Sequence, residues 1–411
     1  MKSIVSFSII ISLAWCTAPE KDIENNPITS PVNLLHALSL VDSMKIDGET
    51  LTFIRIYADA PSYEPVPAVG EGITCVDDVG RFMEVLETEI LTYGNSDLTS
   101  IARGMTHFLL YMSREDGLWH NFMFADGSIN TTHKNSIAEF GWWAIRGLRG
   151  LAAAYNIFSY GPENVQLLEK VKERIAAADR HIQKAVRRYP SRELTELGMK
   201  PAWLVKNAPD INSELLIALT KLHNTGDFDY LDTIEKISVG LIEYQYQEPE
   251  HDLNGMYFCW KNIWHNWGNN HMYGLLEAYK ITDDSTVLSS TKIWADSFVP
   301  FLIKNDYPRE ITVSYSQEYS VVDMPQIAYG FNSIYRGLRL LAEITGETIY
   351  FQRSEEVFLW FKGNNIANTP MYIPDKGRCF DGINGYSSIN TNSGAESTIE
   401  CLLAIQERGA F

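Results

Sequence analysis

Five short turn signals punctuate this chain: TYGNSD (92–97), YGPEN (160–164), NTGDFD (224–229), ITDDS (281–285) and ITGET (344–348). Each lies between two runs whose apolar residues recur at i, i+3, i+4 and i+7, the period of an amphipathic helix. Gly, Asn and Asp at these points accept the backbone angles that end one helix and begin the next. Gly94, Gly161, Gly226, Asp283 and Gly346 recur at intervals of about sixty residues, the length of one helical hairpin. The period predicts helices near 32–44, 77–93, 97–113, 135–158, 163–188, 210–224, 227–247, 262–281, 284–304, 324–345, 347–363 and 393–409. Paired in order they make six hairpins, and six hairpins closing on themselves give an all-α fold, an (α/α)6 barrel or toroid.

The turns fix which end of the ring carries function. Short connections gather at one end, so the long segments 46–75, 114–134, 190–209, 248–261, 305–323 and 364–392 gather at the other, with room for short strands. Inner helices begin at that long-loop end, and their amide-rich N-termini face the mouth. The helix starts are CVDDVGR (75–81), NSIAEFGWW (135–143), APDINSE (208–214), NIWHNWGNNHMY (262–273), SVVDMPQ (320–326) and TNSGAEST (391–398). All but the His- and Trp-rich fourth contain an acid. Asp77, Asp210 and Asp323 stand where helix caps stand, and Ser393-Gly-Ala-Glu396 matches a capping box. Capping leaves two things over. One cap needs only one of the consecutive Asp77 and Asp78, whose side chains diverge by about 100° at a helix start. Glu139 falls inside its expected helix, where a carboxylate needs a partner or a wet cleft.

Composition narrows the partners. A net charge of -18 argues against nucleic acid, whose phosphates need a basic face. Ten Trp and 21 Tyr suit sugar rings as well as cores. Residues 1–16 read as a signal peptide whose end, Leu13-Ala14-Trp15-Cys16, resembles a lipobox with Cys16 as lipidation site. Residues 17–31 then form a tether and 32–411 a single toroid domain, in an exported periplasmic or cell-surface lipoprotein that touches membrane only through that anchor. Four further cysteines lack the close spacing of a zinc site, and His265 and His271 lie six apart, not at a helical i, i+4 pair. Neither a metal nor a cofactor is expected, and a monomer is.

EGITCVDDVGRFMEVL (71–86) and NTNSGAESTIECLLAI (390–405) resemble motifs of the six-hairpin glycosidase-like superfamily. They are most similar to bacterial glycosyl hydrolases that pair C-V-D-D-V in the first inner helix with N-S-G-A-E-S-T in the last. The resemblance implies a glycosidase acting on an oligo- or polysaccharide through Asp77, Asp78 and Glu396, with inversion as the expected course. One carboxyl would donate a proton to the leaving oxygen while the other serves the water or the anomeric carbon. Asp78 and Glu396 are the leading catalytic pair and Glu139 is next. Trp142, Trp264, Trp267 and Trp119 are candidate sugar platforms, with His265 and Asp323 as further binding residues.

Asn270, His271 and Tyr273 resemble the N-N-H-x-Y stretch of alginate lyases, which makes β-elimination on a uronate glycan the alternative. A surface glycan-binding protein without catalysis is a further one. A toroid epimerase working through paired histidines is less favoured, since His265 and His271 share one segment.

Overall fold

The computed structural model describes residues 29–411, so Cys16 and the signal-peptide reading lie outside the described residues. Its helices are α1 (Leu35–Ser39), α2 (Val76–Leu91), α3 (Thr99–Met112), α4 (Trp142–Phe158), α5 (Val165–Val186), α6 (Pro209–His223), α7 (Leu231–Ile242), α8 (His271–Thr282), α9 (Ser285–Ile293), α10 (Val299–Lys304), α11 (Ala328–Thr345), α12 (Thr348–Phe358) and α13 (Ala395–Arg408). In space α2 packs on α4, α4 on α6, α6 on α8, α8 on α11, α11 on α13, and α13 back on α2. That closed ring of inner helices is an (α/α)6 toroid. Helices α3, α5, α7, α9 with α10, and α12 form the outer layer.

Small residues let the ring close. A Cβ on Gly80 of α2 would stand 2.3 Å from the Arg146 carbonyl oxygen of α4, and one on Gly150 would stand 2.9 Å from the Gly80 Cα. The two backbones touch there. Asp283, Gly346 and Gly409 end α8, α11 and α13 in the left-handed region, as helix C-termini require.

Six expected helices begin late or stop early, among them 227–247, which spans only Leu231–Ile242, and 347–363, which spans only Thr348–Phe358. The 32–44 segment holds only the single turn α1, followed by a strand at Val41–Ile46 that pairs with Glu49–Ile54. Asp47 and Gly48, at φ 50° and 85°, supply the two positive-φ residues of a tight hairpin turn. This hairpin packs on α3, where Gly104 admits the Thr52 side chain.

The 135–158 helix starts at Trp142, the 262–281 helix at His271 and the 324–345 helix at Ala328. The segments before them run as strands or loops. Ile263–His265 pairs with Glu310–Val313, which pairs with Tyr319–Val322, and Gln326–Ile327 pairs with Gly382–Gly385. These short sheets build the long-loop end into a rim.

Candidate active site

At the mouth a cavity of about 630 Å³ opens between the starts of α2, α4, α11 and α13. Asp77 and Asp78 reach it because two other groups take over the capping of α2. Cys75 is the N-cap, its thiol accepting from the Asp78 amide at 3.4 Å and donating to Asp78 Oδ2 at 3.2 Å. Asn121, from the loop after α3, accepts the Val76 and Asp77 amides through Oδ1 and donates from Nδ2 to Asp77 at 3.0 Å. Asp77 is thereby left free of capping and faces the cavity.

The capping box of α13 does not form. Gly394 is the N-cap, and Ser393 Oγ instead donates to the Cys379 carbonyl at 2.6 Å. Asp381, before the strand Gly382–Gly385, accepts the Gly394 amide at 2.8 Å and the Ser397 hydroxyl at 2.7 Å. Glu396 turns into the cavity with its side chain 43% exposed.

Arg81, one turn into α2, joins these groups. Nη1 meets Asp78 at 2.9 Å, Nη2 meets Glu396 at 2.9 Å and Nε meets Glu400 at 3.2 Å. Its guanidinium lies 4.8 Å from the Tyr329 ring centre. Terminal nitrogens of one guanidinium are about 2.3 Å apart, so the nearest Asp78 and Glu396 oxygens lie within roughly 8 Å of each other. Burial pushes the Asp78 carboxyl up to about 7 against the pull of Arg81, and Asp78 is only 3% exposed. Burial also raises Asp77, opposed by Arg81 and Arg146. A carboxyl that keeps its proton near neutral pH is suited to donate it.

Behind the site the ring is filled with charge. Arg146 meets Glu214 at 3.0 Å and also the Tyr329 hydroxyl; Arg149 grips Glu84 at 2.6 and 2.8 Å and also Glu214. Glu214 further accepts from Asn270 and Tyr329, each at 2.7 Å. Burial disfavours the Glu214 charge, but Arg146 and Arg149 outweigh it and hold this carboxyl below its usual range. Glu400, bonded by Asn332 at 2.6 Å, connects Arg81 to this network.

The other sequence candidates scatter. Glu139 lies in the loop before α4, not inside a helix, and pairs with Lys206. Trp142 and Trp267 line the cavity. Trp264 is 0% exposed and packs edge-on to Phe298, and Trp119 is equally buried beneath α4 at Gly147, so neither is a platform. Asp323 is exposed on the rim, outside the cavity wall.

Asn270, His271 and Tyr273 do not converge. Asn270 binds Glu214. His271 is 0% exposed and stacks on Tyr257, and burial lowers its ring to about 3. Tyr273 lies under Arg336 beside a separate small cavity with Glu84, Lys221 and Glu407.

His265 faces a second cavity of about 470 Å³ next to the first, with Nε2 3.2 Å from Asp210. Sequence reasoning missed Arg81, Asn121, Asp381, Tyr57 and Tyr329 in the main cavity. Only Arg81, three residues after Asp78, carried a local signal, the helical spacing of an ion pair.

No protein-family model and no curated protein sequence matches the chain. Solved structures do match in fold. Cellobiose 2-epimerase from Bacillus thermoamylovorans superposes with a TM-score of 0.62 at 11% identity, over 92% of this chain and 96% of that one. The Spirochaeta thermophila cellobiose 2-epimerase gives 0.60 at 12%, over 86% and 90%. A family 76 glycoside hydrolase from a bovine Bacteroides thetaiotaomicron strain gives 0.54 at 13%, over 91% and 75%. The chain has the (α/α)6 toroid fold of these proteins.

Proposed function

We propose that the protein is a glycoside hydrolase that cleaves a neutral oligo- or polysaccharide at the larger cavity. The observation that carries this reading is the Asp78–Arg81–Glu396 arrangement, two carboxylates from the first and last inner helices held on one guanidinium. Asp78, with its proton held near neutral pH, is the general acid. Glu396, more open to the cavity, serves the water or the anomeric carbon, and Asp77 stands beside both. Their separation of at most roughly 8 Å spans the retaining spacing of about 5–5.5 Å and much of the inverting one of about 6.5–9.5 Å. Proton NMR of the first-formed anomer reads the course, and inversion is expected.

The cavity wall supports a neutral substrate. Glu71, Asp77, Asp78, Asp381 and Glu396 line it, and Arg81, the cation among the described lining residues, is already engaged by three carboxylates. A uronate would meet that field unpaired. No histidine is among those lining residues, which speaks against an epimerase working through paired imidazoles.

The test is product analysis on neutral and uronate glycans with wild type, Glu396→Gln and Asp78→Asn. New reducing ends without the unsaturated-uronate chromophore, lost at least a hundredfold in Glu396→Gln, are expected. Formation of the chromophore would overturn the hydrolase in favour of elimination.

A further inference from the structure

The second cavity shares a wall with the first: Trp142 and Trp267 line both. Beyond that wall it is bounded by Ile211, Ile263 and the 45% exposed Trp260, with Lys206, Asp210 and Glu310 as polar neighbours. The larger cavity's volume and this one both fall in the range of small-molecule sites, where apolar and aromatic walls carry a few fixed polar groups. We propose that this second cavity is a sugar subsite continuous with the first, so that the substrate is an oligosaccharide gripped on both sides of the Trp142–Trp267 wall. The inference rests on the glycosidase reading for the cleaved bond, but not for binding.

The dividing wall is fixed in place. Trp267 stacks on His265 with ring centres 4.0 Å apart and planes 11° from parallel. His265 is tied to Asp210 on one side and to the Trp267 carbonyl on the other. Gly268 follows at φ 64°, where any Cβ would stand 2.5 Å from the Trp142 ring. The backbone therefore passes against Trp142 only because position 268 has no side chain. A wall so held keeps its shape while a chain crosses it, and pre-ordered walls lower the ordering cost of binding. Trp260 sits at the outer end, its indole capped by the Lys261 ammonium at 4.3 Å. An amphipathic ring partly open to water beside carboxylates and an ammonium suits a pyranose, which offers one apolar face and a rim of hydroxyls.

The experiment uses gluco-, manno- and xylo-oligosaccharide ladders from two to six units with wild type and Trp260→Ala. Turnover and intrinsic-fluorescence binding are both measured. The proposal expects kcat/KM and affinity to rise with length past the disaccharide, and Trp260→Ala to remove about tenfold from the longer members while leaving the disaccharide unchanged. Turnover that is flat with length, or indifferent to Trp260→Ala, overturns the subsite and leaves the hydrolase standing. Length-dependent binding sensitive to Trp260→Ala, without turnover, supports the subsite and overturns the hydrolase. Absence of both binding and turnover overturns both.

Discussion

Replacing Asp78 by Asn tests the proton that the proposed mechanism places there. Asp78 is buried, accepts from Arg81 at 2.9 Å and from the Cys75 thiol at 3.2 Å, and titrates at about 7 rather than near the unfolded value of about 3.9. A carboxyl raised in the folded state binds its proton more tightly there than in the unfolded chain. Its contribution to stability is therefore full below about pH 4 and is lost as pH rises through 7. At about 1.4 kcal/mol per unit, the three-unit gap costs the wild type at most roughly 4 kcal/mol above pH 7. Asn copies the neutral acid and does not titrate. Asp78→Asn should match the wild type to within about 1 kcal/mol at pH 4, then gain on it steadily to pH 7 and hold a constant advantage above. Over about 380 residues, with an unfolding entropy of roughly 2.1 cal/mol/K each, that ceiling corresponds to about 5 °C in Tm. Equilibrium urea unfolding at pH 4, 5.5, 7 and 8.5 measures the difference, and the same variant should lose hydrolysis. An Asp78→Asn protein less stable than wild type at pH 8.5, by as much as at pH 4 or more, would refute the reasoning. It would mean that Arg81 outweighs burial, that Asp78 is an ordinary ion-paired carboxylate, and that the proton donor must be sought elsewhere.

Glu214→Gln should cost about 3–5 kcal/mol in urea unfolding, because it leaves Arg146 and Arg149 buried with one carboxylate fewer; a loss under 1 kcal/mol would count against a tightly held interior network. Gly80→Ala should cost about 1–3 kcal/mol, since its Cβ would fall 2.3 Å from a backbone carbonyl that cannot rotate away; a stabilised variant would show that α2 and α4 do not cross so closely. His271→Ala should lower stability by roughly 2–4 kcal/mol through the void left beside Tyr257, with turnover close to wild type in the folded protein. Turnover abolished in a folded His271→Ala protein would restore the lyase reading.

What the sequence shows of this molecule is what recurs. The sixty-residue rhythm and the polar helix starts are local patterns repeated round the ring, and they foretell both the toroid and the meeting of Asp77, Asp78 and Glu396 at its mouth. What it hides is competition from outside the helix and its cap. Ser393 and Glu396 satisfy the capping-box pattern, yet Asp381, beyond the intervening hairpin, takes the Gly394 amide and leaves Glu396 free for Arg81. Asp77 looks like a cap until Asn121 takes its place.

Periods mislead in a similar way when short. Val41 and Met44 fit a helical i, i+3 spacing while Met44 and Ile46 fit the alternation of a strand, and the Asp47-Gly48 turn distinguishes the two. Trp264 fails as a platform for the same reason. Read as helix, it shares no fixed face with Ile263 and His265; as strand, the alternation sends those neighbours to the second cavity and Trp264 into the core against Phe298. A single slip of register there would exchange a binding wall for a buried one. The rim strand thus decides that His265 and Ile263, and not Trp264, reach a cavity, while the starts of the inner helices bring Asp77, Asp78 and Glu396 to one.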